Sequence, residues 1–148
     1  MATRTTKRLL QTAVAGAMLA TGMALFAHGD VNPQPVDTGD LPELDDWKLE
    51  NPFRDADEST LNEAIRIGER GYQANCAVCH GLGGASGGIA PDLRLLEPGF
   101  DDEYYVQTVR KGRGAGMPSF DGVLSQEAIW AIYTWLNTMH EEAMDEYY

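Results

Sequence analysis

The chain's two cysteines stand three positions apart and are followed at once by a histidine: Cys76-Ala77-Val78-Cys79-His80. One helical turn presents both thiols to one edge of a planar group and drops the adjacent imidazole beneath its centre. This is the C-x-x-C-H pattern of covalent haem attachment. Three other uses of the pattern compete. A disulfide across so short a loop is strained and reducible. A thioredoxin-like redox pair needs a βαβ setting, and no strand pattern is visible here. A structural zinc site wants four ligands, and only His28 and His140 remain as further N/S donors, without finger-like spacing. The residues favour one haem c, attached through Cys76 and Cys79, with His80 as an axial iron ligand.

A second axial ligand is expected in Gly112-Arg113-Gly114-Ala115-Gly116-Met117-Pro118-Ser119-Phe120. A lone Met is usually core filler. Here glycines let the backbone approach a cofactor face and Pro118 stiffens the approach, so Met117 is the expected thioether ligand. Met139, Met144 and His140 are poorer candidates. Pro91 is a candidate outer partner, its carbonyl accepting from the free ring N–H of His80, although an ordinary loop proline is an equal reading. Arg94, Arg110, Lys111 and Arg113 either neutralise a haem propionate or simply sit in solvent. A His/Met iron has no open position for substrate, and Met ligation raises the reduction potential. No nucleophile–base pair, paired carboxylates or nucleotide loop accompanies it, so no catalytic residue is assigned. The expected role is one-electron transfer.

The elements that must position these groups are helical. Ser59-Thr60 begins the order, Thr60 and Glu63 fit a capping box, and Leu61, Ala64, Ile65, Gly68 and Tyr72 recur on one face. A short helix is expected over Asp102–Lys111, with acids in its first turn and bases in its last. Ser125 caps a final helix with the stripe Ile129, Ile132, Tyr133 and Leu136, widened by Trp135 and Met139. The glycine-rich stretches 81–88 and 112–122 are loops. The expected fold is all-α: three to four short helices around one covalently bound haem. So few helices with so much glycine bury only a marginal core, which a large apolar prosthetic group would complete.

Four segments result. Residues 1–27 carry Arg4, Lys7 and Arg8 and then an apolar run, the pattern of a cleaved signal peptide and hence of periplasmic export; an uncleaved anchor is the competing reading. Residues 28–58 form an acidic, proline-containing arm. It is either a disordered leader or a strap pinned by Trp47, Leu49 and Phe53. Residues 59–140 are the haem domain, and 141–148 an acidic tail expected to fray. Cleavage after Ala27 removes three basic residues and takes the net charge from −12 to −15. That excludes nucleic acid as a partner. It suits either docking to a basic partner surface or simple solubility. No other segment is long and apolar enough to be a permanent membrane span.

Gly68-x-x-x-Tyr72-x-x-x-Cys76-x-x-Cys79-His80-Gly81, Pro91-x-Leu93, Met117-Pro118 and Ile129-Trp130-Ala131-Ile132 with Trp135-Leu136 resemble class I cytochrome c. The resemblance implies that the first and last helices cross at Gly68, Tyr72 and Trp135, with the haem in a crevice. Trp135 stands where these proteins more often have Tyr, and Ala90 where Gly is common. A narrower resemblance rests on His28-Gly29-Asp30-Val31, Val36-Asp37-Thr38, Leu41-Pro42, Trp47, Asn51-Pro52, Arg54, Gly87–Arg94 and Gly122–Ala128. These stretches are similar to PedF-type periplasmic cytochromes c. That implies a quinoprotein (PQQ-dependent) alcohol dehydrogenase as electron donor, and a terminal oxidase or another cytochrome as acceptor. The competing functions are a haem subunit held permanently in a dehydrogenase complex, and a ligand-binding or sensor haem protein with a displaceable Met.

Overall fold

Asp57 has extended backbone, and its carboxylate accepts the N–H groups of Ser59 and Thr60, so α1 (Glu58–Asn75) starts there. The expected capping box is therefore replaced. Thr60 donates its hydroxyl to Asp57 instead of capping, and Glu63 is taken by Arg66. The computed structural model describes residues 32–114 and 116–147, so the expected signal peptide lies outside the described residues. After α1 come a single turn α2 (Ala77–His80), two 3-10 turns (Leu82–Gly84 and Leu93–Leu95), α3 (Asp102–Lys111) and α4 (Gln126–Tyr147). Among the described residues there is no strand, only an isolated bridge between Arg113 and Met117.

α3 has the expected bounds, with Asp102 and Glu103 in its first turn and Arg110 and Lys111 in its last. The Ser125 hydroxyl accepts the Ala128 N–H at 3.2 Å, as expected of the α4 cap. The acidic tail does not fray: α4 continues to Tyr147, because Ala143 still buries a face beyond Met139.

Helices α1 and α4 cross where side chains nearly vanish. A Cβ on Gly68 would sit 2.0 Å from the Ala131 carbonyl oxygen and 2.9 Å from the Trp135 Cβ. Beside that contact the Tyr72 and Trp135 rings meet at 4.6 Å. The buried face of α1 is Ala64, Ile67, Gly68, Gly71, Tyr72 and Asn75. It includes Ile67 and Gly71, which the periodicity did not mark, and leaves Leu61 and Ile65 only half-buried. Residues 128–136 of α4 are buried on every side. A helix apolar nearly all round must be covered all round, and the N-terminal arm provides the second cover.

That arm is an ordered strap from residue 32 onward. The Gln34 N–H donates to the Asn75 side chain at 2.7 Å, at the end of α1. The Leu44 N–H donates to Glu127 at 2.9 Å, and the Lys48 N–H to Gln126, both on α4. The Asn51 N–H donates to Asp102 at 2.8 Å, and its side-chain amide to Thr134 at 3.0 Å. Arg54 pairs with the same buried Asp102. Of the three expected anchors only Phe53 is buried; Trp47 and Leu49 are exposed, and Leu41 and Asn51 are buried in their place.

Candidate functional site

His80 ends α2 and is 8% exposed. Its Nδ1 lies 2.8 Å from the Pro91 carbonyl oxygen. A carbonyl only accepts, so Nδ1 carries the proton and the lone pair is on Nε2, the nitrogen a metal would take. The loop presenting Pro91 is held at several points. The Ser86 hydroxyl donates to the Ala90 carbonyl, and Asp92 accepts from the Arg94 N–H at 3.0 Å while pairing with its guanidinium at 2.6 Å. That pairing holds the Asp92 carboxyl below its ordinary value. From α4, His140 Nδ1 meets the Arg94 carbonyl at 2.8 Å, so the loop is its partner. The residue after His80 is tied as well. The Tyr72 hydroxyl donates to the Gly81 carbonyl at 2.7 Å. Burial, then the neighbouring Cys76 sulfur, pushes the Tyr72 phenol up, so it remains a neutral donor.

Cys76 and Cys79 flank Ala77 and Val78 as free thiols, both half-buried. Burial, then the proximity of Cys79, pushes the Cys76 thiol up to about 12. Cys76, Ala77, Leu93, Leu96 and Met117 all pack against the same hydrophobic core, which includes Tyr105, Val106 and Val109 of α3.

Met117 is half-buried, and its carbonyl accepts the Arg113 N–H at 2.9 Å. Gly112, at φ 70°, is the glycine that this loop needs. A Cβ there would meet the Met117 carbonyl at 2.6 Å and the Pro118–Ser119 backbone at 2.7 Å. The loop is then sewn to α3: the Phe120 N–H donates to the Val109 carbonyl at 3.1 Å, and the Ser119 hydroxyl to the Arg110 carbonyl. Of the four basic residues singled out, Arg94 pairs with Asp92 and Arg110 with Asp121, and Arg113 lies over the Tyr104 ring; Lys111 is exposed.

These residues fit a covalently held haem. Two free thiols lie within one turn, an imidazole has its lone pair fixed on Nε2, and a thioether packs on the same core. Val78, Leu82, Ile89, Leu95 and Phe100 add apolar surface in the segment that begins at the cysteine motif, each more than 60% exposed. Among the described residues no group of three or more His, Cys, Asp or Glu is gathered as a metal cage would require. No helix of the described residues is long and apolar enough to cross a membrane.

A family model described as cytochrome c oxidase, cbb3-type, subunit III, matches residues 63–136. With the helical fold of the described residues and the Gly68–Trp135 crossing, the chain belongs to the class I c-type cytochromes, electron-transfer proteins with covalent haem c rather than enzymes. Cytochrome c550 of Pseudomonas aeruginosa is 42% identical over 135 residues, covering 84% of this chain and 92% of that protein. Quinohemoprotein alcohol dehydrogenase ADH IIB of Pseudomonas putida is 41% identical over 69 residues, 45% of this chain but 10% of that enzyme. Cytochrome c6 of Tetradesmus obliquus is 33% identical over 76 residues, 46% of this chain and 82% of that protein. No solved structure matches.

Sequence reasoning missed the strap's polar anchors, Asn51 and Asp102. A proline-rich acidic segment has no periodicity from which to read its contacts.

Proposed function

We propose that the chain is a periplasmic one-electron carrier with a single haem c, taking electrons from a PQQ-dependent alcohol dehydrogenase and delivering them towards a terminal oxidase. Cys76 and Cys79 would hold the group through thioether bonds, and His80 Nε2 and Met117 Sδ would ligate its iron. When bound, haem supplies an Fe(III)/Fe(II) couple. The Pro91 carbonyl, accepting from Nδ1, fixes the His80 ring and strengthens its donation. A thioether supplied by Met117 would keep small ligands out and favour the reduced state. The apolar side chains of residues 78–100 would shield the bound group from water and offer a surface for transient docking.

The observation that carries the site is the 2.8 Å contact between His80 and Pro91, which leaves Nε2 as the nitrogen available to a metal. The choice of donor is supported by the similarity to a stretch of a quinohemoprotein alcohol dehydrogenase. Between residues 71 and 96 the charged side chains are Asp92 and Arg94, which pair with each other. The exposed acids Asp37, Asp40, Glu43, Asp45, Asp46 and Glu50 lie on the strap. Attraction to a basic partner is therefore exerted at a distance and screened by salt. Rapid mixing of the oxidised protein with a substrate-reduced quinoprotein dehydrogenase tests the proposal. One electron is taken up per chain, at a rate that falls as salt rises. No reduction by any such enzyme would remove this donor, and a rate independent of salt would remove the electrostatic part.

A further inference from the structure

The strap touches the cytochrome domain at one point that has no role in covering the core. Trp47 is 40% exposed, yet its ring lies under a cation: the Arg110 guanidinium carbon is 3.8 Å from the ring centroid. Arg110 is, with Val109, one of two residues of α3 to which the Met117 loop is fastened. Its side chain pairs with Asp121 at 3.3 Å, and its carbonyl accepts from the Ser119 hydroxyl. The same hydroxyl accepts the Asp121 N–H at 3.2 Å. One residue thus grips both ends of the Ser119–Asp121 turn that directly follows Met117-Pro118. Trp47 is itself fixed, because the next residue donates its N–H to Gln126 of α4.

We infer that Trp47 is a positioning residue for Met117: by capping Arg110 it braces the turn that holds the thioether, and so slows the loop's departure from the iron. This rests on Met117 being the axial ligand, as proposed above. The mechanism is a bias on a local opening equilibrium. A cation held between an aromatic face and a carboxylate has fewer arrangements than one facing solvent, so the closed loop is favoured over the open one. The bracing residue lies outside residues 63–136, the span matched by the family model, so it is a property of the strap and not of the matched domain.

The test uses the full-length holoprotein in its oxidised form and reads the rate at which added imidazole replaces the methionine, with the sulfur-to-iron absorption as the marker of the closed loop. Trp47→Ala raises that rate about fivefold, the size of effect that one partly exposed cation–π contact carries. Trp47→Phe, which keeps a ring over Arg110, restores most of the protection. Leu41→Ala removes a buried strap residue that packs in the core and leaves the Trp47 ring over Arg110 in place; it lowers the unfolding midpoint but leaves the imidazole rate unchanged. An unchanged rate in Trp47→Ala overturns the inference, and so does an equal rise in Leu41→Ala, which would mean general loosening. A wild-type protein without the sulfur absorption would instead overturn the ligation itself.

Discussion

Two non-helical regions of this molecule are held in opposite ways. In the strap, backbone N–H groups of Gln34, Leu44, Lys48 and Asn51 donate into side-chain acceptors of the helices: Asn75, Glu127, Gln126 and Asp102. In the loops that follow the cysteine motif, backbone carbonyls of Gly81, Pro91 and Arg94 accept from the helix side chains of Tyr72, His80 and His140. The strap thus depends on carboxylates and amides remaining acceptors, two of them ionisable. The loops depend on neutral or cationic donors. A long acidic segment stays ordered because the helices present it with acceptors, and a glycine-rich segment because they present it with donors. In both cases each buried polar contact is specific and its loss expensive.

The largest effect is expected where both regions share a support. Gly68→Ala forces the backbones of α1 and α4 apart at the crossing and lowers stability by roughly 3 kcal/mol. Denaturant unfolding of the holoprotein measures it, and a loss below about 1 kcal/mol would show the crossing to be looser than its 2.0 Å clearance implies.

Asp102 separates the two regions next. It is 1% exposed and accepts from the Asn51 and Gly99 N–H groups while pairing with Arg54. Asp102→Ala leaves those donors without a partner and costs about 2–3 kcal/mol, below the range for a fully buried pair because Arg54 is partly in solvent. The strap should become open to proteases while the His80–Pro91 contact persists. Simultaneous loss of both would break the distinction between the regions.

Tyr72→Phe is the mirror experiment. It removes the bond to the Gly81 carbonyl, costs about 1 kcal/mol, and perturbs the His80 ring signals while strap amides keep their protection from hydrogen exchange. Altered strap protection would contradict the separation.

The smallest effect is in pH. Burial raises the Glu127 carboxyl, but N–H donation from Leu44 and the other hydrogen bonds outweigh it, so the net shift is downward. A depressed carboxylate contributes stability that is fully present above its unfolded value and is lost as pH falls through its folded value. Protection of the Leu44 amide should therefore decline in acid, and Glu127→Gln should flatten that decline. An identical acid profile in the variant would show that Glu127 does not hold the strap.

The candidate site could be read from the sequence because its residues are close along the chain. Cys76, Cys79 and His80 occupy one turn, and Asp102–Lys111 announces both ends through its charges. The contact of His80 with Pro91 spans 11 positions, and the sequence left it level with an ordinary loop proline. What escaped depends on distance along the chain. Asn51 reaches Thr134 across 83 positions and Asp102 across 51, and nothing in a proline-containing acidic segment marks which N–H will meet which side chain. The cap of α1 was misplaced by competition. Asp57, Ser59 and Thr60 can all cap, and Asp57 prevails because its carboxylate takes two N–H groups and the Thr60 hydroxyl together. The tail was misread because its acids hide a buried Ala143 at helical spacing from Leu136 and Met139.

The most direct test of the central claim, one covalent haem held by His80 and Met117, is a visible and near-infrared spectrum of the protein expressed in the periplasm, oxidised and reduced. Expected are low-spin c-type bands for one haem per chain, with a sulfur-to-iron absorption in the oxidised form that disappears in Met117→Ala. A high-spin spectrum, or low-spin bands without the sulfur feature, would contradict His/Met ligation and with it the role of a closed one-electron carrier.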